Sequence, residues 1–594
     1  MKYILKIALI LVMACSPAVM AVCNGQGPDV PAFTREAGEW HERIFLFTDR
    51  SFYAVNETIR ISAVLLSEGK PVPVMESKII YVELVNSSGN MIRAGKFRID
   101  GNAASACLAI PPVLPSGYYY LRSYTKWMRN SGPETYSYVP LRIINPYSME
   151  LDRPVTSQGK PGLSEFPCDK GGIALKMAKT SCLPGETLEV DIQPGEDGAG
   201  KIEHACITVI PEGSIKEAVY RADAGPANPG SGPFTFHFLP EISGSVISGR
   251  LVNYEAEDDP SKFLVCFSIL GDDPLVFVAE PDLSGNFSAL LPERTGDMEL
   301  YVTATGPAGK AAEVVIEESF SAEALPFRAD TLFILPGEKE MADRISLNMQ
   351  LEKIYRPGST REPIPYADPV PRVPFYGMPT RSIDLDEFIN LPDVQEIFEN
   401  LVPEVSVHRK KGEPVFRVIS RDPSITWLSP LVLLDNIPVF DHEKILDLQP
   451  SRLDNIDVVA DVYIIGNKKF GGIISISTKK GDLAGFGLPD GSYFFDYPGI
   501  HPPDPVDDLP DHRTGNIPDT RNTLYWEDGI SLEKDKPFSI TFPAGMAPGN
   551  YIILARGISD GRIRTGTCKF TVVKPDRGQV PVERQYPGEL PSSK

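Results

Sequence analysis

The sequence predicts a mainly β protein, built from several β-sandwich modules and one small α+β unit. Three observations predict this class. The 594 residues correspond to roughly four domains at about 150 residues each. The 49 glycines and 56 prolines together exceed average usage, which favours many turns over long helices. The 42% hydrophobic content is enough to build cores, so a chain that is disordered throughout is excluded.

The formal net charge of −21 repels phosphate backbones and anionic lipid surfaces. We therefore expect no nucleic-acid partner.

The N-terminus predicts export. Lys2 and Lys6 precede an apolar run over residues 7–14, which is typical of a signal-peptide core and too short to span a bilayer. Two ways of processing this signal peptide remain open. One is cleavage after Ala21, and the other is lipidation of Cys15 at a lipobox-like sequence. No later apolar stretch is long enough to cross a bilayer, so we expect no transmembrane helix in the mature chain. The predicted location is the periplasm or the outer membrane of a Gram-negative bacterium, as a free protein or a lipoprotein.

The cysteines predict neither a metal site nor a cofactor. Six of them follow both cleavage points with irregular spacing and no CxxC pair: Cys107, Cys168, Cys182, Cys206, Cys266 and Cys568. Buried free thiols are the simpler interpretation, and a local Cys168–Cys182 disulfide is the alternative.

Alternating apolar residues predict a first sandwich over residues 40–146. A related segment follows later in the chain, where Arg50–Ile61 aligns with Lys179–Val190. The device Pro115-Ser116-Gly117 before a strand returns near the C-terminus as Pro548-Gly549. The repeat predicts further sandwiches.

These segments resemble the opening of a macroglobulin-type β-sandwich, which reads T-D-R-x-x-Y-x-P-G-E-T. Thr48–Tyr53 carries its first half and Leu183–Thr187 its second. The resemblance implies tandem macroglobulin/immunoglobulin-like sandwiches. No cysteine lies in a C-G-E-Q-type sequence, so it does not imply a thioester trap. A third module, with Asp282-Leu283-Ser284-Gly285-Asn286-Phe287, resembles carboxypeptidase-regulatory-like sandwiches.

After a Pro-rich stretch, the spacing of the apolar residues changes from strand-like alternation to that of a helix. Pro392 fits the first turn of a helix, whose apolar face is Val394, Ile397, Phe398 and Leu401. Three strand motifs follow in order: Pro430–Val439 with a turn at Asp435-Asn436, then Leu453–Val459, then Phe470–Gly481. This order resembles the plug domain of TonB-dependent outer-membrane receptors. Only 113 residues follow Gly481, fewer than a barrel of about 22 strands requires, so we expect a plug-like module without the barrel.

No catalytic motif is present, and we expect no catalytic residues. One ligand site is a candidate. Tyr118, Tyr120 and Tyr124 alternate on one strand face near Trp127. In the simpler interpretation, the side chains on one face of this strand fill the sandwich core and those on the other face are partly exposed. An aromatic platform for a glycan or peptide is the sharper one.

The predicted function is a non-catalytic, exported cell-envelope binding or scaffolding protein. Its expected partner is an envelope or outer-membrane protein, such as a component of the TonB-dependent transport machinery, or a glycan. The alternatives are an accessory or cryptic hydrolase of surface glycans or peptides, and a protease-interacting defence protein without a thioester. The predicted domains are a signal peptide 1–21, sandwiches 40–146, 147–238 and 239–320, a connector 321–382, the plug-like domain 383–482, a linker 483–518, a C-terminal sandwich 519–576 and a tail 577–594.

Overall fold

The computed structural model describes residues 40–68, 76–148, 150, 163–165, 168–195, 201–215, 220–222, 237–255, 257–323, 325, 332, 334, 338–355, 373–389, 391–410, 412–421, 425, 427–502, 518–534, 536 and 538–574. Contacts divide the chain into two compact units. Unit 1 is Met1–Ile242, Ser321–Pro363 and His501–Lys594, and unit 2 is Ser243–Phe320 and Ile364–Ile500. The fold is mainly β, which confirms the predicted class. The leader with Cys15 and the tail 577–594 lie outside the described residues.

Sandwich 1 opens unit 1. Its strands form one sheet in the order β1-β3-β6 and another in the order β5-β4-β7-β8, with β2 parallel to β8. The strands are β1 His41–Thr48, β2 Phe52–Ala54, β3 Thr58–Glu68, β4 Ile79–Asn86, β5 Met91–Arg98, β6 Ala103–Ala109, β7 Gly117–Tyr124 and β8 Ser137–Ile144.

Seven further strands of unit 1 follow: β9 Leu163–Glu165, β10 Cys168–Lys170, β11 Ile173–Met177, β12 Ser181–Cys182, β13 Thr187–Pro194, β14 Lys201–Pro211 and β15 Tyr220–Ala222. The short strands β15 and β9 extend the sheet of sandwich 1 beyond β8.

Unit 2 begins with a sandwich whose strands are ordered β18-β17-β20-β21-β16-β19. They are β16 Val246–Val252, β17 Leu264–Ile269, β18 Leu275–Ala279, β19 Asn286–Leu290, β20 Met298–Thr305 and β21 Ala311–Ile316.

A 17-residue helix, α1 Lys339–Tyr355, lies in the segment predicted to be an irregular connector. Met341, Ile345 and Met349 recur every four residues and are buried along one face, which is the helical signal that the Pro-rich surroundings obscured. This helix belongs to unit 1.

The α+β part of unit 2 contains one five-stranded sheet in the order β22-β27-β30-β25-β26, and two hairpins, β23-β24 and β28-β29. Its elements are β22 Arg381–Asp384, α2 Val394–Leu401, β23 Val405–Lys410, β24 Glu413–Val418, β25 Leu431–Leu434, β26 Ile437–Pro438, α3 His442–Leu446, β27 Leu453–Val459, β28 Tyr463–Ile465, β29 Lys468–Phe470 and β30 Ile473–Thr478.

The local predictions for this part are largely confirmed. Val394, Ile397 and Phe398 are the buried residues of α2. The N-cap is Asp393, whose side chain accepts a hydrogen bond from Glu396 N at 2.8 Å, so Pro392 precedes the helix and does not lie in its first turn. The predicted turn at Asp435-Asn436 joins β25 to β26.

The last strands are β31 Tyr493–Tyr497, β32 Tyr525–Glu533, β33 Phe538–Pro543, β34 Gly549–Ser559 and β35 Arg562–Val572. β31 pairs with β20 of the unit 2 sandwich, in a segment predicted to be a linker. Its residues Tyr493, Phe495 and Tyr497 alternate toward that sandwich core, which is the pattern of a strand and not of a linker.

The division into a second and a C-terminal sandwich is wrong, because β32–β35 complete the sandwich begun by β10–β14. One sheet has the order β11-β13-β33, and the other runs β10-β35-β34-β14-β32, with β12 parallel to β35. We call this structure sandwich 2. One core cluster contains residues from both segments, including Val190, Val209, Phe542 and Ile553.

Sandwich 2 repeats sandwich 1 strand for strand. The sheet β1-β3-β6 corresponds to β11-β13-β33, and β5-β4-β7-β8 corresponds to β32-β14-β34-β35. In sandwich 1 the hairpin β4-β5 is closed by the short turn 87–90. In sandwich 2 the equivalent strands β14 and β32 are separated by residues 212–524. We call residues 212–524 the insert, and it contains all of unit 2.

Candidate functional site

The predicted repeat reappears as matching hydrogen bonds at the turn that precedes β3 and β13. Glu57 Oε2 accepts from Ala54 N at 2.6 Å, while Arg50 Nη2 donates to Glu57 Oε1 at 2.9 Å. In the second copy, Glu186 Oε2 accepts from Leu183 N at 2.9 Å, and the side chain of Lys179 donates to Oε1 at 2.7 Å. The resemblance to a strand-opening motif therefore corresponds to a carboxylate that closes a turn.

A second shared device supports the strand-for-strand correspondence. Tyr119 OH donates to Pro115 O at 2.6 Å in sandwich 1. Tyr551 OH donates to Ala547 O at 2.8 Å in sandwich 2. Each tyrosine bonds to a carbonyl four residues earlier, so the repeated turn-and-strand device seen in the sequence has one structural role.

Asp49 is the centre of a buried polar cluster in unit 1. Its Oδ1 accepts from Tyr53 OH at 2.7 Å and from Arg60 N at 3.0 Å. Its Oδ2 accepts from Thr523 Oγ1 at 2.6 Å and from Arg50 Nε at 3.2 Å. Burial disfavours the charged carboxylate, but the positive charges of Arg50 and Arg60, together with the hydrogen bonds from Thr523 and Tyr53, outweigh that effect, and the pKa of Asp49 lies below its usual value. Asp49 is therefore ionised at neutral pH.

The two ends of the insert meet at the turn that follows Asp49. At the upstream end, Ser214 O accepts from Ser51 N at 3.0 Å and from Phe52 N at 3.2 Å. At the downstream end, Asn522 Nδ2 donates to Glu57 Oε1 at 2.8 Å. We call residues 49–57, 214 and 520–523 the junction. The sequence signal for its first part was the T-D-R-x-x-Y phrase, but nothing in the sequence paired that phrase with residues 520–523.

Helix α1 also packs at the junction. Asn348 Nδ2 donates to Asn522 Oδ1 at 2.8 Å, and Thr520 Oγ1 is hydrogen-bonded to the Glu352 carboxylate. The segment before α1 is held by an ion pair, in which Arg142 Nη1 donates to both Glu338 carboxylate oxygens at 2.8 and 2.9 Å. Residues 338–352, which fall in the sequence between the two segments of unit 2, therefore contact sandwich 1 and the junction.

The aromatic residues predicted to form a platform lie mainly inside sandwich 1. Tyr124 is 0% exposed, Trp127 is 4% and Tyr120 is 5%, whereas Tyr118 is half-buried. The Tyr124 ring stacks on Tyr81 and Tyr136, at centroid distances of 5.3 and 4.3 Å. The prediction of a platform is therefore wrong for these buried rings. Strand alternation showed two faces, but it could not show that both faces are covered.

Tyr124 instead belongs to a second buried cluster. Its hydroxyl donates to Glu83 Oε1 at 2.5 Å and accepts from Ser321 N at 2.7 Å. Arg122 Nη2 donates to Glu83 Oε2 and to Ser321 O, both at 2.8 Å. These bonds anchor the start of the segment Ser321–Pro363 in unit 1.

The three strand motifs that the sequence analysis took in order meet in one sheet of unit 2. β25 runs parallel to β30, and β27 runs antiparallel to it, so the three motif strands are neighbours. The Asp435 carboxylate accepts from Thr478 N and from Thr478 Oγ1, both at 2.7 Å. The same carboxylate accepts from Leu483 N at 2.9 Å. The turn of the first motif thereby holds the end of the third.

The Gly471-Gly472 pair is required by close packing. A Cβ on Gly471 would lie 2.4 Å from Leu428 O, and one on Gly472 would lie 2.5 Å from Val459 O and 3.0 Å from Val418 Cγ2. Gly472 also has a φ of +94°, which side chains rarely permit. The residues on both sides of this pair are therefore tightly fixed.

Unit 2 also exposes apolar side chains. A shallow groove beside α2 is lined by Leu385, Phe388, Ile389, Leu391, Ile397, Leu401 and Pro450. Phe388 and Ile389 are exposed at its edge, and Trp427 is exposed elsewhere in the unit. Contiguous exposed apolar side chains, as at this groove, are a feature of ligand-binding grooves and interaction surfaces.

The cysteines and other metal-binding side chains of the described residues form no cluster of three or more that could hold a metal ion. Cys107, Cys182, Cys206, Cys266 and Cys568 are free thiols. The alternative of a Cys168–Cys182 disulfide is therefore wrong. In the same part of the chain, no helix is both long and apolar enough to cross a membrane.

Comparison with known proteins gives only remote similarities. No protein-family profile and no curated protein matches the chain. It is similar to the trypsin-activated alpha-2-macroglobulin of Escherichia coli, with 12% identity over 90% of this chain and 42% of that one, at a TM-score of 0.22. A Salmonella alpha-2-macroglobulin reacted with methylamine gives 12% identity over 90% and 40%, also at 0.22.

The E. coli adhesin FdeC gives 10% identity over 46% of this chain and 62% of that one, at a TM-score of 0.13. The chain spans about two fifths of the length of the macroglobulin structures. Similarities at these TM-scores carry no argument about function. What the strand pairing defines is a class: a tandem β-sandwich protein with a folded unit inserted into one hairpin.

Proposed function

We propose that the protein is an exported cell-envelope binding protein in which the tandem sandwiches carry unit 2 as the binding module. The observation that supports this most strongly is the insertion itself. The hairpin β4-β5 has a short turn, whereas its counterpart β14-β32 contains the whole of unit 2. Loops on a rigid scaffold are where proteins accept inserted domains and place binding functions.

The junction supports the role of unit 1 as a scaffold. Both ends of the insert are hydrogen-bonded to residues 51–57 of sandwich 1, and α1 packs against the downstream end. These contacts fix where the chain leaves and re-enters unit 1. The proposal assigns no reaction to the chain.

The location and the partner are the finer parts of the proposal. The leader, with cleavage after Ala21 or lipidation of Cys15, supports the periplasm or the outer membrane. The order of the three strand motifs and their adjacency in one sheet support a partner from the TonB-dependent transport machinery of the outer membrane. The exposed groove beside α2 is the surface that we assign to this contact.

Site-specific photo-crosslinking in the source bacterium tests the proposal. A photoreactive amino acid replaces Ile389 in unit 2 or, as the matched control, Val113 in unit 1, because both side chains are more than four-fifths exposed. We expect position 389 alone to capture an outer-membrane protein in the membrane fraction. Cytoplasmic retention of the chain, or equal capture from both positions, would contradict the proposal. The mass of the mature N-terminus distinguishes cleavage from lipidation.

A further inference from the structure

The segment that forms most of the groove beside α2 is acidic. Residues 382–407 contain seven acidic residues and no lysine or arginine. The acidic residues are Asp384, Asp386, Glu387, Asp393, Glu396, Glu399 and Glu404. The same stretch supplies every residue that lines the groove except Pro450. Carboxylates and groove-lining apolar side chains are therefore interleaved along one short piece of chain.

Basic side chains neutralise part of this charge. Arg381 Nε donates to Glu404 Oε1 at 3.0 Å, and Lys479 Nζ donates to Asp386 Oδ1 at 2.6 Å. Seven acidic and two basic side chains leave a formal charge of −5. Lys480 follows Lys479 in the chain, and its inclusion would still leave −4. The groove therefore lies in a strongly acidic region after its ion pairs are counted.

The carboxylates lie on both walls of the groove. Asp384 and Glu387 are exposed and adjoin lining residues in the loop that precedes α2. On α2, Asp393 lies one helical turn before the lining residue Ile397, and Glu396 directly precedes it. A ligand in the groove therefore meets acidic side chains from the loop and from the helix.

The apolar part of the groove is open to solvent. Phe388 is 45% exposed and Ile389 is 85% exposed. Apolar surface that remains in water costs free energy in proportion to its area, and neighbouring carboxylates repel one another. A ligand that is both apolar and cationic relieves both costs at once.

We propose that the groove beside α2 binds a cationic peptide segment of the partner. One or two bulky apolar side chains of this segment enter the shallow groove, and flanking lysine or arginine side chains face the carboxylates. This inference rests on the proposed function, which assigns the groove to the partner contact, and it adds the chemistry of the bound segment. A second copy of the chain is a poorer occupant, because each copy has a net charge of −21 and the copies repel one another.

The test measures peptide binding to the purified chain beginning at Val22 by fluorescence anisotropy. The probe is a labelled peptide of six lysines and four leucines, with the leucines on one helical face. One control peptide has glutamate in place of every lysine, and the other has serine in place of every leucine. The serine peptide measures attraction to the net charge alone. We expect the lysine-leucine peptide to bind at least ten-fold more tightly than either control, and salt to weaken its binding.

Charge variants locate the binding at the groove. E387Q/E396Q is expected to weaken binding of the lysine-leucine peptide about ten-fold, as the loss of two exposed ion pairs implies. E280Q/E299Q is the matched control, because it neutralises two exposed carboxylates of the unit 2 sandwich and leaves the net charge of the chain the same as in E387Q/E396Q. We expect this control to bind the peptide nearly as the parent does.

An apolar variant tests the other half of the inference. I389S is expected to weaken binding of the lysine-leucine peptide about ten-fold, because the bound leucines lose an apolar contact. L283S is its matched control, since Leu283 is 79% exposed in the unit 2 sandwich. Both substitutions are at exposed positions, so we expect the circular dichroism of the variants to equal that of the parent.

Four results would overturn the inference: no binding of the lysine-leucine peptide, equal binding of the glutamate-leucine peptide, equal binding of the lysine-serine peptide, or equal affinities of E387Q/E396Q and E280Q/E299Q. Self-association in sedimentation that I389S abolishes would also overturn it, in favour of a second copy. Capture at position 389 in the source bacterium without preference for the cationic peptide overturns this inference alone. Preference for the cationic peptide without capture at position 389 contradicts the proposed function alone.

Discussion

Thr523 Oγ1 donates a 2.6 Å hydrogen bond to Asp49 Oδ2, although the two residues are 474 positions apart in the sequence. Asp49 directly follows β1 in sandwich 1, and Thr523 is the second residue before β32 in sandwich 2. The bond therefore connects the residue after β1 to the point where the insert ends. Asp49 is fully buried, so water cannot replace a hydrogen-bond partner that its carboxylate loses.

Substitution at this bond is expected to destabilise unit 1. D49N removes a buried charge that faces Arg50 and Arg60, and we expect a loss of about 3 kcal/mol in the free energy of unfolding. T523V removes one hydrogen bond and is expected to cost about 1–2 kcal/mol. Urea unfolding followed by the emission of Trp40 and Trp127 measures both. D100N, at an exposed carboxyl, is the control, and a double-mutant cycle without coupling between D49N and T523V would contradict the geometry.

The two copies of the repeated turn are expected to differ in their contribution to stability. Glu57 accepts from Ala54 N, Arg50 and Asn522, whereas Glu186 accepts from Leu183 N and from a solvent-exposed lysine. E57Q should therefore lower the urea midpoint of unit 1 clearly more than E186Q does. Equal shifts would show that the junction adds nothing to the local turn.

Gly472 is expected to tolerate no side chain. G472A places a Cβ 2.5 Å from Val459 O at a φ of +94°, and we expect a loss of about 2–4 kcal/mol in the stability of unit 2. G487A is the matched control, because a Cβ there meets no atom within 4 Å. Thermal unfolding measures both variants, and equal midpoints would contradict the packing around β30.

Stability of unit 2 is expected to fall in mild acid. Burial lowers the pKa of His442 from its ordinary 6.5 to about 4, and its Nδ1 accepts from Phe416 N at 3.1 Å. Between these pH values the unfolded chain binds a proton that the folded chain does not. This histidine therefore stabilises unit 2 above pH 6.5, and that contribution is lost as the pH falls toward 4, by up to about 3 kcal/mol.

H442N removes this titration and retains an acceptor for Phe416 N. The difference in unfolding free energy between H442N and the parent should change between pH 7 and pH 4.5, with the parent losing more. A constant difference would mean that His442 does not titrate in this window.

Local structure could be predicted from the sequence where the signal lies within a few residues. The turn at Asp435-Asn436 and the apolar face of α2 follow from such patterns, and the repeat at Glu57 and Glu186 follows from one short alignment. The pairing of strands could not be predicted in this way. β13 and β33 are neighbours although about 340 residues separate them, and alternation marks a strand without naming the strand beside it.

The same limit explains the errors about sites. Alternation places Tyr124 on one face of its strand but does not tell whether that face is buried. Its burial is decided by Glu83, Tyr81 and Tyr136, which come from other strands and loops. Trp427 shows the converse, because no pattern in the sequence singled it out and it is nevertheless almost fully exposed. Exposure depends on tertiary packing, which no local pattern contains.

Sandwich 2 is formed by segments on both sides of the insert. Glu189 of β13 lies opposite Thr541 of β33, and both side chains are exposed. Peptide mass spectrometry of E189C/T541C, oxidised mildly as the intact monomer, tests the pairing directly. The control is E189C/S105C, because Ser105 lies in β6, the sandwich 1 counterpart of β33. We expect a 189–541 disulfide and no 105–189 disulfide. Absence of the first, or equal yields of both, would contradict it.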